Sequence, residues 1–411
     1  MKLRVQLPLF LSTFLTPIPY LGLASVFGLM DFFKSISRRD RYLRLLSGNC
    51  VFLVVLVLLA NFVNEIELSY EEMKRLAVIV CSLTTGLYFI AKVNKSGNMP
   101  LQRNQVILLL SVGWLASSLV FWKLPVTAQY ANYSWYKFAG ASALILFLLQ
   151  IFAISKVRDS VTAWIVLGIS MSAISVLNNA KSFALLTMIL MFLRLGLGNA
   201  LISRVGSDDA SVSRRFRLVR TIIVTTISIS AIVFLARSGW LGTRLELLSV
   251  QYGRNFSESF FRARPEFTYS MQILQNLPFL GYGTVPDPFN HIQLELVTSS
   301  SLTFQEQHFL LNRILVDGFN LHSWTFDLVA RAGFLCFIPI FLYAILLVKT
   351  IFSFDLISKY PGLSFICIVS LEDLFFSPYS WFVSIQIAFS FLAIYMNHLL
   401  KNSEPESREF A

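Results

Sequence analysis

The chain has 411 residues, of which 55% are hydrophobic and only 14% charged, with 38 Phe and a formal net charge of +11. A mean hydropathy of +0.65 is that of an integral membrane protein rather than a soluble domain. The excess positive charge sits in short loops between apolar runs, so it reads as membrane topology and argues against a nucleic-acid partner.

In chain order, the first apolar run, 5–33, contains Pro8, Pro17 and Pro19 and predicts either one kinked helix or a hairpin of two short ones. Runs follow at 46–63, 76–91, 106–122, 138–154, 161–177, 183–202, 221–235 and 324–347, each about the length a spanning helix needs. The last run, 363–400, is broken by Glu372, Asp373 and Pro378 and predicts a pair of helices. The sum is an all-α, polytopic bundle of about 10–12 transmembrane helices; the alternation over about ten residues that a β-barrel requires is not seen. The predicted organisation is an N-terminal bundle at 1–237, a large polar segment at 238–323, C-terminal membrane helices at 324–400 and a cytoplasmic tail at 401–411.

Basic loops set the orientation. The connections at 34–41, 92–103, 156–158 and 204–220 carry Lys and Arg and alternate correctly to lie in the cytoplasm. The acidic connection at 64–72 and the aromatic one at 123–137 then fall outside, and counting on through 221–235 places the 238–323 segment outside as well. Hydrocarbon cannot host that polar segment, so it forms a module on the aqueous face. The N-terminal Met-Lys-Leu-Arg followed by apolar residues imitates a signal peptide but has a poor cleavage site, and is read as mature chain. All four cysteines, Cys50, Cys81, Cys336 and Cys367, lie in apolar runs as small buried hydrophobes, with no CxxC spacing.

Within the external segment, 241–250 and 267–277 have the apolar spacing of short helices. Arg254, Arg262 and Arg264 bring positive charge to the side where it is otherwise scarce. They either snorkel to lipid phosphates or grip a diphosphate, for which the guanidinium fork is suited. Pro278-Phe-Leu-Gly281-Tyr-Gly283 is a turn whose glycines permit close backbone approach or positive φ, and with no preceding strand it is not a nucleotide loop. His291 and His308, with Asp287, Glu295 and Glu306, match no metal-ligand spacing, and no metal is expected.

His322 stands before Trp324, at the outer end of the 324–347 run, where an imidazole can act as a base near neutral pH or simply anchor the helix at the interface. Asp327 and Arg331 are one helical turn apart and are expected to form a structural ion pair. Lys181 opens another run from the outer side, where the helix dipole opposes a cation; it implies an anionic partner or snorkelling. Arg194, deeper in the same run, is expected in packing or snorkelling to the cytoplasmic face, and His398 at the cytoplasmic interface.

Together these residues resemble the O-antigen ligase and polymerase superfamily of bacterial surface-polysaccharide enzymes. Its members carry a basic residue at the head of a mid-chain span, a large external loop in which Arg precedes a helix ending in Pro-Leu-Leu-Gly-x-Gly, and a His-Asn motif running to Glu-x-Gly as it enters the next span. Here the second element reads Arg264-Pro-Glu-Phe267 through Pro278-Phe-Leu-Gly281-Tyr-Gly283, and the third His322-Ser323-Trp-Thr-Phe326 through Gly333. Lys181 stands where the family has Arg, Ser323 where it has Asn, and Phe267 where it has Trp; either Arg262 or Arg264 matches the loop Arg.

The resemblance implies a GT-C-like fold with the large loop in the periplasm of a bacterial inner membrane. It further implies transfer of a glycan from undecaprenyl diphosphate to a sugar hydroxyl, with inversion and no cofactor. Arg262 or Arg264, assisted by Lys181, would stabilise the departing diphosphate, and His322 would take the acceptor proton. The implied acceptor is a glycan in a polymerase, which the turn motif favours, or lipid A-core in a ligase; a chain-length regulator is a possible partner. From a different class, a lipid-linked oligosaccharide flippase would line a central cavity with charge, whereas this chain concentrates its unusual polar groups in one external segment.

Overall fold

The computed structural model describes residues 10–14, 24–30, 41–65, 70–96, 99–121, 140–155, 160–178, 180–202, 279–281, 283, 324–376 and 382–402. Among these residues all regular structure is helical: α1 Arg41–Val63, α2 Tyr70–Lys95, α3 Pro100–Phe121, α4 Ala141–Ile154, α5 Val161–Leu177, α6 Lys181–Ile202, α7 Trp324–Ala332, a 3₁₀ turn Phe334–Cys336, α8 Phe337–Ile351, α9 Phe354–Lys359, α10 Pro361–Phe376 and α11 Phe382–Asn402. Residues 10–14 and 24–30 are also helical. Four of the described helical segments, Tyr42–Val63, Leu76–Lys95, Pro100–Val120 and Phe334–Ile351, are long and apolar enough to cross a membrane. Shorter apolar helices run over Ala141–Ile154, Val161–Ser175 and Ser182–Leu195. The chain is a helical membrane protein.

Proline opens α3 and α10 at the first helical position, where its missing N–H leaves no bond unmade. Several hydroxyls inside apolar helices return to their own backbone, as in Ser82 to Val78 O at 2.7 Å and Thr187 to Phe183 O at 2.7 Å, which satisfies those donors within the helix. α11 packs along α2, and an aromatic seam of Phe89, Phe389 and Trp114 joins α2, α11 and α3, with centroids 4.7 and 5.6 Å apart. α10 is central and touches α4, α6, α7, α8, α9 and α11. Ser25 bonds Thr85 at 2.8 Å, holding the 24–30 helix against α2.

The bundle has two distinguishable ends. At one, Tyr42 at the start of α1 stacks on His398 near the end of α11 at 4.1 Å, Asn94 of α2 donates to the Tyr395 hydroxyl at 3.0 Å, and Asn104 of α3 donates to Lys359 O at 2.9 Å. Arg41, Arg44, Lys92, Lys95, Arg103, Lys349, Lys359 and Lys401 belong to this end. Arg194 lies over the rings of Trp164, at 5.6 Å, and Phe354, at 5.4 Å, which favours the packing alternative. The opposite end gathers the end of α1, the end of α10 and the starts of α4, α6, α7 and α11.

The expected pair of helices over 363–400 is present as α10 and α11, separated near Pro378. The single span expected at 324–347 is not. α7 ends at Ala332, Gly333 takes φ +79, and the membrane-crossing segment is Phe334–Ile351. A nine-residue α7 rises only about 13 Å and cannot cross a bilayer. Asp327 and Arg331 make α7 less apolar than the segment after it, but hydropathy does not locate the bend; the backbone turns at Gly333, where only glycine tolerates the angle. Asp327 and Arg331 therefore belong to a separate short helix, not to the crossing segment. The expected helices at 221–235, 241–250 and 267–277 lie outside the described residues.

Candidate functional site

Two of the motifs quoted above meet at the end opposite the basic one. The turn at 279–283 docks on the C-terminal end of α7: the Gly283 N–H donates to Arg331 O at 2.8 Å, which gives one of the helix's last carbonyls a partner. Gly281 and Gly333 touch backbone to backbone. A Cβ on Gly281 would lie 2.4 Å from Gly333 N and 2.5 Å from Arg331 O, and one on Gly333 would lie 2.1 Å from Phe279 O. Gly281, Gly283 and Gly333 all have positive φ, at 72, 68 and 79. The turn is tied to α1 as well, through Asn64 Nδ2 to Gly281 O at 3.1 Å; the same amide also donates to Ala60 O at 2.7 Å.

α7 is buried on nearly every side, packed between α1, α8 and α10. Its expected ion pair is present: Arg331 Nε donates to both carboxylate oxygens of Asp327, at 3.1 and 3.2 Å, with both side chains buried. Removing either partner would take away a charge that the other faces in a low-dielectric site. The first turn of α7 is held to α10 by Thr325 Oγ1, which donates to Leu374 O at 2.7 Å.

Beside Leu374 begins a polar chain that sequence reading missed. Asp373 at the end of α10 accepts from the Gln386 amide of α11, and Gln386 Oε1 accepts from Ser142 Oγ of α4 at 3.2 Å. Gln386 and Ser142 are buried, so the three helices share one hydrogen-bonded track at this end. The available signal was only that Glu372 and Asp373 interrupt an apolar run. Lys181 opens α6 at the same end, where Ala180 packs on Ala141 next to Ser142.

His322, Arg262, Arg264 and Pro278 lie outside the described residues, as do His291, His308, Asp287, Glu295 and Glu306. The structure thus joins Gly281 and Gly283 to the Asp327–Arg331 helix, and sets the start of α6 at the same end. Among the described residues no group of His, Cys, Asp and Glu could hold a metal ion. An apolar pocket of about 40 Å³ lies beside α7, bounded by Trp324, Leu328, Leu53, Tyr343 and Phe391.

The class that fold and site define is a helical membrane protein with a glycine-docked polar end. Comparison with known protein families, with curated proteins and with solved structures finds no match to this chain.

Proposed function

We propose that the chain is a glycosyltransferase of a bacterial inner membrane that polymerises undecaprenyl-diphosphate-linked oligosaccharide repeat units of O-antigen or exopolysaccharide at the periplasmic face. The observation that carries the reading is the contact of Gly281 and Gly283 with Gly333 and Arg331. Two of the three motifs on which the resemblance rests are separated by a long stretch of sequence, yet their glycines meet with no room for a side chain. A chance likeness of each motif alone gives no reason for that meeting.

Sidedness supports the same reading. Basic residues collect at one end of the bundle, which the positive-inside rule assigns to the cytoplasm, and the docked turn is at the other. On that face no nucleotide sugar is at hand, so a lipid diphosphate is the fitting donor. In the proposed transfer the acceptor hydroxyl oxygen attacks the anomeric carbon, the anomeric C–O bond to the diphosphate breaks with its electron pair, and His322 receives the hydroxyl proton. Arg262 or Arg264, with Lys181, carries positive charge to the departing diphosphate. The polytopic, GT-C-like bundle of about ten to twelve helices belongs to this proposal.

The test is to replace His322 with Ala in the source organism and to run its surface polysaccharide on a gel. Material with a single repeat unit on the core marks a polymerase, and lipid-linked polymer accumulating without attachment marks a ligase. An unchanged ladder removes the base assignment.

A further inference from the structure

We infer that Asn64 is a positioning residue that clamps the external segment to the bundle; the inference rests on the reading above for what is positioned. The turn at 279–283 divides the segment into the part before it, with Arg262 and Arg264, and the part after it, which leads to His322 and α7. The two parts can act on one bond only if this turn is fixed.

Among the described residues its attachments are Gly283 N–H to Arg331 O at 2.8 Å, the backbone contact of Gly281 with Gly333, and Asn64 Nδ2 to Gly281 O at 3.1 Å. The first two tie the turn to α7. Only the third, among them, ties it to α1. Asn64 uses both amide protons, since Nδ2 also donates to Ala60 O at 2.7 Å, and this second bond fixes its side chain against the end of its own helix.

The backbone there is shaped to present it. Asn64 N–H bonds Ala60 O at 3.1 Å and Glu65 N–H bonds Phe62 O at 3.2 Å as α1 closes. Glu65 then takes φ +53, the one positive-φ residue other than glycine among the described residues. A non-glycine residue held in that region costs about 1–2 kcal/mol and persists where its surroundings demand it. Just past the end of α1, this left-handed residue follows directly on Asn64, which keeps that side chain at the rim of the bundle facing the docked turn.

Charge separates this role from simple packing. Aspartate has the size of asparagine but no protons to give, so Asn64→Asp sets a carboxylate against two carbonyl oxygens. Glutamine keeps both donors on a longer arm.

The test uses the full-length protein in lipid nanodiscs and follows hydrogen exchange at the Gly283 amide. Exchange in Asn64→Asp and Asn64→Ala is expected to be at least about tenfold faster than in the parent, with Asn64→Gln in between. In cells, the same two variants are expected to shorten the polysaccharide ladder at normal protein level, and Asn64→Gln to recover part of it. Unchanged exchange in Asn64→Asp overturns the clamp. Faster exchange with a normal ladder, while His322→Ala abolishes the ladder, overturns the positioning role. If His322→Ala also leaves the ladder normal, the glycosyltransferase reading has failed separately, and with it the account of what Asn64 positions.

Discussion

Gly281 and Gly333 approach so closely that a Cβ on the first would stand 2.4 Å from the amide nitrogen of the second. Both have positive φ, so replacement meets two obstacles, a strained backbone and a clash with backbone atoms that cannot swing away. Gly281→Ala and Gly333→Ala are each expected to cost about 2 kcal/mol or more. Gly48 in α1 is the control, because nothing lies within 4 Å of a Cβ there. Gly48→Ala should be neutral or stabilise by about 0.5–1 kcal/mol. Thermal unfolding of the three variants in one detergent checks the contrast.

The Asp327–Arg331 pair makes a prediction about charge. Asp327→Asn or Arg331→Met alone removes one charge of a buried pair and is expected to destabilise by about 3–5 kcal/mol. The double variant should recover much of that loss. A double-mutant cycle on thermal midpoints measures the coupling, and additive losses would mean that the pair contributes little.

The track from Asp373 through Gln386 to Ser142 makes another. Gln386→Leu removes the donor to Asp373 and the acceptor for Ser142 in one step, and is expected to cost about 1–3 kcal/mol. Ser142→Ala, which removes only the outer bond, should cost about 1 kcal/mol. Equal losses in the two variants would show that the track is not shared across the three helices.

Lys181 is tested by conservative exchange. As a point charge serving the diphosphate, it should be replaceable by Arg with the polysaccharide ladder retained, and Lys181→Ala should shorten or abolish the ladder with the protein still inserted. A normal ladder from Lys181→Ala would leave it as an interfacial lysine.

Much of the fold was legible because membrane helices announce themselves by length and apolarity. The runs at 161–177 and 183–202 fall on α5 and α6 almost residue for residue, and the interrupted run at 363–400 splits as expected. α2 and α3 start earlier than their apolar runs because polar first turns lie beyond the hydrophobic stretch. The break at Gly333 was not legible, since hydropathy is blind to φ and Phe334 continues the apolar pattern. What makes the bend is a glycine contact with residue 281, which no local window contains.

The candidate site shows the same division. The turn glycines and the Asp327–Arg331 pair follow from local rules, and the structure bears out both the positive φ of Gly281 and Gly283 and the i,i+4 pairing. Asn64, Ser142 and Gln386 had no local signal. Each is an ordinary polar residue at a helix end, and its importance comes from a partner more than 200 residues away for Asn64 and Ser142.

Catalysis without nucleotide or metal is the central claim, and reconstitution tests it most directly. The purified protein in proteoliposomes would be supplied with undecaprenyl-diphosphate-linked repeat units from the source organism, EDTA present and no nucleotide sugar added. The account expects a ladder of longer lipid-linked glycans with free undecaprenyl diphosphate released in step, and neither product from His322→Ala. Lipid-linked units that stay at one repeat with the parent protein, or a ladder of equal intensity from His322→Ala, would contradict it.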